Sequence, residues 1–351
     1  LDSAAAAKAA FASVQDKPFP DDIFTAPELR WTVIGCGVIA NQMAQSLALA
    51  GRKLAGVANR TLSKAQAFAE QYGIEKVYES VEDLYADPGI DAVYITTPHN
   101  THITYLRDAL AAGKHVLCEK AITLNSAELD EARAIADEHN VVLMDATTVL
   151  HMPLYQELRR RMDAGEFGRM NLAQLNFGSY KEYGDLTNRF YNRNLAGGAM
   201  LDIGVYALSV MRLFMASQPI EVVSLGNTCE TGVDVAGGIV CRNAEQQLGV
   251  VSLTLHSKQP KRSIISFDKC YIEVNEYPRA DHATIVWTAD GHREEVHAGT
   301  EAYALCYEMA DLEKAVAGDD SKRELLDYAS DVMELMTKLR ADWGVVYPEE
   351  E

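Results

Sequence analysis

At 351 residues the chain is too long for one ordinary core and about right for two domains. Its 48% hydrophobic and 24% charged residues fit a soluble globular enzyme, and a net charge of −19 argues against nucleic acid or an anionic membrane as partner, since both demand basic patches. The six cysteines, at 36, 118, 229, 241, 270 and 306, form no Cys-x-x-Cys pair and no zinc-spaced cluster, which predicts reduced thiols, a cytoplasmic setting and no metal site; no run of about 18 consecutive apolar residues suggests a membrane span.

Residues 1–29 read as an N-terminal arm, an alanine-rich helix followed by a connector stiffened by Pro18, Pro20 and Pro27. The arm packs on its own domain or on a neighbouring subunit, or stays disordered. Over 30–150 apolar strands (31–34, 54–58, 77–78, 92–96, 115–118 and 141–145) alternate with amphipathic helical stretches such as 63–72 and 126–139. That alternation predicts an α/β domain, a doubly wound parallel sheet covered on both faces. Ser80 before Glu82-Asp83 is a helix start of its own, a capping hydroxyl ahead of an acidic first turn.

The pattern changes after Pro153. A helix over 154–164 stops at Gly165, residues 170–180 alternate, and a helix over 199–214 precedes strands at 221–225, 235–241, 246–254, 263–267, 271–274 and 284–288. With few helices between them, these predict an open, mainly antiparallel sheet in a second α/β domain spanning 151–351. A helix pair at 302–317 and 324–342 closes the chain.

The first strand runs into Gly35-Cys36-Gly37-Val38-Ile39-Ala40. Gly35 permits a tight turn, Gly37 lets backbone approach a phosphate, and Ala40 lets the next helix pack close. The helix start offers unpaired N–H groups to a dinucleotide pyrophosphate. The second strand ends in Asn59-Arg60-Thr61, with no acid until Glu70. A carboxylate there would bind ribose hydroxyls and repel a 2′-phosphate, whereas a guanidinium can bind that phosphate, so NADP(H) is favoured and NAD(H) remains possible. Alternatively Arg60 points into solvent.

Two further loops leave the carboxyl ends of parallel strands, where ligands of open α/β sheets bind. One carries Thr96, Thr97, Pro98, Asn100 and His102 as hydrogen-bonding groups on a stiffened turn; a capped turn without ligand contact is the plainer alternative. The other is Glu119-Lys120-Ala121. Lys120 can pass a proton to a carbonyl oxygen receiving a hydride and take it back in reverse, and Glu119 can hold ribose hydroxyls or the lysine. A solvated Glu–Lys pair is the alternative. In the second domain, Asp202 and Tyr206 stand four apart within Gly197-Gly198-Ala199-Met200-Leu201-Asp202-Ile203-Gly204-Val205-Tyr206, hence on one helical face. Just before them, 180–194 supplies Tyr180, Arg189, Tyr191 and Arg193 as candidate substrate contacts, with His102, Lys120, Asp202 and Tyr206; polar residues also collect in loops without function.

The Gly-rich turn, Thr97–His102, Ala112–Ala121 and Gly197–Tyr206 in that order resemble the glucose–fructose oxidoreductase, inositol dehydrogenase and rhizopine-catabolism family of NAD(P)-dependent enzymes, over about residues 30–340. The Asp-x-Gly-x-Tyr form is similar to the branch of glucose–fructose oxidoreductase and dimeric dihydrodiol dehydrogenase. The resemblance implies a Rossmann domain plus a domain whose open sheet mediates homodimers or homotetramers. It also implies Lys120 and Tyr206 as the proton-handling pair, Asp202 positioning substrate or lysine, and hydride transfer at a carbinol carbon of a sugar, polyol or cyclic vicinal diol. Two rivals keep the fold: an NAD-dependent glycosidase with no net redox, and a cofactor-binding regulator without turnover. The chain departs from the family pattern twice. Ala121 stands where proline often follows a cis bond, a bond costing about 3 kcal/mol more without proline, which predicts a different seat for Lys120. Leu150 stands where many relatives carry arginine, so their sugar-recognition residues do not transfer.

Overall fold

In the computed structural model, which describes residues 2–351, six short strands form a parallel sheet: β1 (Trp31–Ile34), β2 (Gly56–Ala58), β3 (Lys76–Tyr78), β4 (Ala92–Ile95), β5 (His115–Cys118) and β6 (Leu143–Asp145). Every residue of β1 and β4 is buried, as expected of strands covered on both faces. The order is β3-β2-β1-β4-β5-β6, so the winding reverses between β1 and β4 and opens a crevice beyond their carboxyl ends.

This sheet belongs to a unit made of the residues up to Ile122, Glu128–Ala146 and Thr300–Leu326. The last stretch departs from the expected continuous domain of 151–351, for a packing reason. Leu305, Met309 and Leu312 of helix Ala304–Val316 join Val33, Val57, Met43 and Leu47 in one buried cluster. From the same helix the buried Glu313 carboxylate accepts hydrogen bonds from Leu29 N (3.2 Å), Trp31 Nε1 (3.1 Å) and Arg52 Nη1 (3.0 Å). The arm, with a helix at Asp2–Val14, packs on this unit through Val14 and Ile23 against Ala302, Tyr303 and Cys306.

The second unit comprises Thr123–Ala127, Thr147–Gly299 and Asp327–Glu351. Its eight strands are β7 (Met170–Gly178), β8 (Glu221–Thr228), β9 (Asp234–Arg242), β10 (Leu248–Thr254), β11 (Gln259–Phe267), β12 (Cys270–Asn275), β13 (His282–Trp287) and β14 (Arg293–His297), ordered β14-β13-β12-β11-β7-β10-β9-β8. All pairs are antiparallel except β7 with β10. β14 was not among the predicted strands: Arg293-Glu294-Glu295 carries no apolar alternation, and pairing with β13 is what makes it a strand. The strand predicted from 246 starts at Leu248, because Asn243 Oδ1 accepts from Gln247 N (2.8 Å) and Gln246 takes φ 62°, closing a turn there.

Helix Val205–Phe214 packs on β7, β10 and β11. Arg193–Phe214 is long and apolar enough to cross a membrane by composition, yet 78% of that window is buried inside the fold, as in a core helix. On the opposite sheet face Val223 pairs with Val240 and Val240 with Val250, while Val223 and Leu225 are 75% and 83% exposed.

Candidate active site

The first unit gathers its chemistry at the crevice. Gly35 takes φ +104°, and a Cβ there would sit 2.6 Å from Thr96 Oγ1, so only glycine lets the turn pass the β4 loop this closely. Thr96 in turn donates through Oγ1 to Ile34 O (3.0 Å). Gly37 is the N-cap of helix Val38–Leu49 with no side-chain cap, and a Cβ on it would meet nothing within 4 Å. Exposed N–H groups beside open space are what a pyrophosphate needs, so this turn fits a dinucleotide. Val38 is exposed, whereas Cys36 and Ile39 are half-buried. Burial pushes the Cys36 thiol up to about 11 despite the cation of Lys64, which leaves it a protonated packing group.

At the end of β2, Asn59 Nδ2 donates to Thr61 O (3.0 Å) and closes the turn, and the exposed Arg60 makes no ion pair among the described residues. Lys64, four residues on, is the cation that acts on Cys36. Sequence reading missed it, because Lys64 lies in helix Leu62–Tyr72 and Arg60 before its N-cap, so no helical spacing links the two.

His102, a candidate contact for cofactor and substrate, is instead fully buried, with Nδ1 3.0 Å from Ala121 O and Nε2 2.8 Å from Thr97 O. It therefore ties the loop after β4 to the loop after β5. Burial holds its pKa below 6.5, so the ring is neutral near pH 7 and only one nitrogen donates at a time. Thr101 Oγ1 adds bonds to Thr97 Oγ1 (2.8 Å) and Pro98 O (2.7 Å), fixing the 3₁₀ turn His99–Thr101 that holds Asn100.

After β5, the buried Tyr94 hydroxyl donates to Glu119 Oε1, and Lys120 N donates to Glu119 Oε2 (3.3 Å). The Lys120–Ala121 peptide is cis although alanine replaces proline. Lys120 is half-buried, and its charge helps to lower the His102 pKa.

In the second unit the helix that follows Gly198 opens with a π turn, Met200–Gly204, before the α-helix from Val205. Four residues are close to one turn in either geometry, so Asp202 and Tyr206 leave from one side. Asp202 is buried, and Arg189 Nη2 stands 3.5 Å from its Oδ1 while the guanidinium lies over the Phe190 ring. Tyr206 is half-buried beside Phe177, and Tyr180 is exposed. Two expected substrate contacts do other work. Tyr191 is fully buried and donates its hydroxyl hydrogen to Lys181 O (2.8 Å), and Arg193 donates through Nε to Val346 O (2.8 Å) and pairs with Glu351.

An uncapped Gly-rich turn at the crevice of a doubly wound sheet, with a half-buried lysine after β5 of the same sheet, is the arrangement of a dinucleotide-binding oxidoreductase. Residues 29–147 match the oxidoreductase family with an NAD-binding Rossmann fold, and 155–273 match the C-terminal domain of the same glucose–fructose oxidoreductase, inositol dehydrogenase and rhizopine-catabolism family, to which this chain belongs. It is 32% identical to trans-1,2-dihydrobenzene-1,2-diol dehydrogenase of Mus musculus over 254 residues, covering 71% of this chain and 75% of that protein. The Homo sapiens protein of that name is 36% identical over 210 residues, 59% of this chain and 62% of that protein. In fold, the chain is similar to a 3-ketoreductase from Actinomadura kijaniata in complex with NADP and TDP-benzene (TM-score 0.77, 24% identity, 90% of this chain and 98% of that one). It is equally similar to a levoglucosan dehydrogenase in complex with NADH and levoglucosan (TM-score 0.77, 19% identity, 89% and 97%).

Proposed function

We propose that this oxidoreductase acts on the carbinol carbon of a cyclic vicinal diol, sugar or polyol, with NADP(H) as the favoured cofactor. The observation that carries the reading is Lys120, half-buried at the carboxyl end of β5 in the same unit as the uncapped Gly-rich turn. Bound at that turn, NADP supplies the hydride acceptor. Lys120 and Tyr206 take the hydroxyl proton as the carbonyl forms and return it in reverse, and Asp202 orients the substrate or the lysine. Glu119, braced by Tyr94, holds ribose hydroxyls or the lysine. Arg189 and Tyr180 are the remaining substrate contacts. Thr96, Thr97, Pro98 and Asn100 line the cofactor side, with Asn59 and Arg60 at the ribose.

The diol class is supported by the activity for which the dihydrodiol dehydrogenases are named, and the sugar class by the names of the two structural neighbours. Arg60, Lys64 and the absence of an acid at the end of β2 support the 2′-phosphate. A second copy of this chain covers the apolar sheet face of Val223, Leu225, Val240 and Leu248, giving a homodimer or homotetramer. The reading is tested by offering trans-dihydrodiols, inositols and aldoses with NADP⁺ or NAD⁺ and following nicotinamide absorbance. Stoichiometric reduction of NADP⁺ by a diol or sugar supports it. Glycoside cleavage without net change in nicotinamide would replace it by the glycosidase reading, and no turnover of either kind by the regulator reading.

A further inference from the structure

The Gly197–Gly198 turn opens the helix that carries Asp202 and Tyr206, and it is held by two residues distant in sequence. From β9, the fully buried Asp234 accepts the Met200 N–H on Oδ2 at 2.6 Å, binding the first turn of that helix. The contact leaves no slack: Gly198 takes φ +125°, and a Cβ there would lie 2.3 Å from Asp234 Oδ1. A Cβ on Gly197 would lie 2.6 Å from Arg189 O, while Gly198 N donates to Phe190 O (3.0 Å).

A second hold comes from Tyr347, fully buried, whose hydroxyl donates to Gly197 O at 2.7 Å. Tyr347 is fixed in turn. The guanidinium of the buried Arg340 lies 4.6 Å over its ring, donates to Glu350 Oε1 (2.7 Å) and Oε2 (2.9 Å), and bonds Leu124 O. Glu350 Oε2 accepts from Tyr347 N (3.0 Å), and Asn125 Nδ2 donates to Glu350 Oε1 (2.9 Å). A buried, fully bonded tyrosine with a whole ion pair arranged around it is more than packing one ring requires, and its single outward bond ends on the turn before Asp202.

We propose that Asp234 and Tyr347 are positioning residues for the reaction: by holding the Gly197–Gly198 turn at Gly197 O and at Met200 N they set the helix that aims Asp202 and Tyr206. This rests on the proposed roles of Asp202 and Tyr206. Misplacement of a reacting group by an ångström costs up to about 100-fold in rate, so the hydrogen bonds that fix this turn bear on turnover.

The test uses the 351-residue chain carrying Tyr347→Phe, Asp234→Ala or Asp234→Asn. Three readouts are taken: amide hydrogen exchange over 198–208, NADP(H) affinity by fluorescence titration, and kcat with the best alcohol from the panel above. Tyr347→Phe keeps the ring and removes one donor. It should raise exchange over 198–208 at least tenfold and lower kcat about tenfold, with cofactor affinity within twofold. Asp234→Ala should do the same, and Asp234→Asn, which keeps an acceptor for Met200 N–H, should recover most of the loss. In a Tyr206→Phe background, Tyr347→Phe should cost far less than it does alone. The proposal is overturned if Tyr347→Phe leaves exchange over 198–208 unchanged, or if it keeps wild-type kcat while Tyr206→Phe loses it. Equal losses for Asp234→Asn and Asp234→Ala, or a parallel loss of cofactor affinity, also overturn it. Should Tyr206→Phe itself turn over normally, the proposed catalytic reading fails instead, and the exchange result still decides whether the grip exists.

Discussion

His102 Nδ1 lies 3.0 Å from the carbonyl oxygen of Ala121, the residue directly after Lys120, while Nε2 of the same ring lies 2.8 Å from Thr97 O. One buried imidazole thereby couples the two loops that leave β4 and β5. His102→Leu strands the carbonyl to which the neutral ring donates in a buried site and should cost about 1–3 kcal/mol of stability, read as a lower melting temperature. A melting temperature equal to wild type would refute this bracing.

The same residue makes a pH prediction. Burial lowers the His102 pKa from 6.5 in the fold, so the unfolded chain binds the proton more readily. Stability is therefore whole above pH 6.5 and falls as pH drops through that value. His115, also lowered by burial, adds a slope of the same sign. Denaturant titrations in that window should show a flatter slope for His102→Gln than for wild type, and an unchanged slope would contradict the assignment.

The proposed preference for NADP(H) makes Arg60 the residue to test. Arg60→Ala should weaken NADP(H) by about 1–3 kcal/mol and leave NAD(H) nearly untouched, measured by fluorescence titration of both. Equal losses for the two cofactors, or a wild-type preference for NAD(H), would sink the NADP assignment.

Proton handling is tested at both ends. Lys120→Met should lower kcat roughly 10²–10⁴-fold with a much smaller change in cofactor affinity. Tyr206→Phe, which removes only a hydroxyl, should also slow turnover, and the two losses should be less than additive if the groups act together. Near-normal turnover by Lys120→Met would make the cluster structural.

For assembly, light scattering at micromolar concentration should give a dimer or tetramer mass. The double variant Val223→Lys, Leu225→Glu should shift it towards monomer, since it places charge on the most exposed apolar positions of β8. A monomeric wild type would count directly against the covered sheet.

The Rossmann half was legible because its signals are local: apolar four-residue strands, a Gly-x-Gly turn at the right place, and helical periodicity between them. Lys120 and the Asp202–Tyr206 spacing were legible for the same reason. Errors arose where burial decides the role. Tyr191, Arg193 and His102 carry the residue types of a binding site, but their partners, Lys181, Val346 and Glu351, and the carbonyls of Thr97 and Ala121, are set by tertiary contacts that no spacing rule exposes. The π turn at Met200–Gly204 and the strand β14 escaped likewise, one being a one-residue change in hydrogen-bond register and the other a polar segment made a strand by its neighbour.

The return of helix Ala304–Val316 to the first sheet bears on how the protein is made. Glu313 is the acceptor for Leu29, Trp31 and Arg52, so the nucleotide-binding half lacks a wall until synthesis has passed the entire second sheet. Its early strands must wait on the ribosome with the face for Leu305, Met309 and Leu312 uncovered. A fragment stopped near residue 150 should consequently aggregate or melt well below the full chain in calorimetry, and co-expressing 300–326 in trans should restore part of the difference.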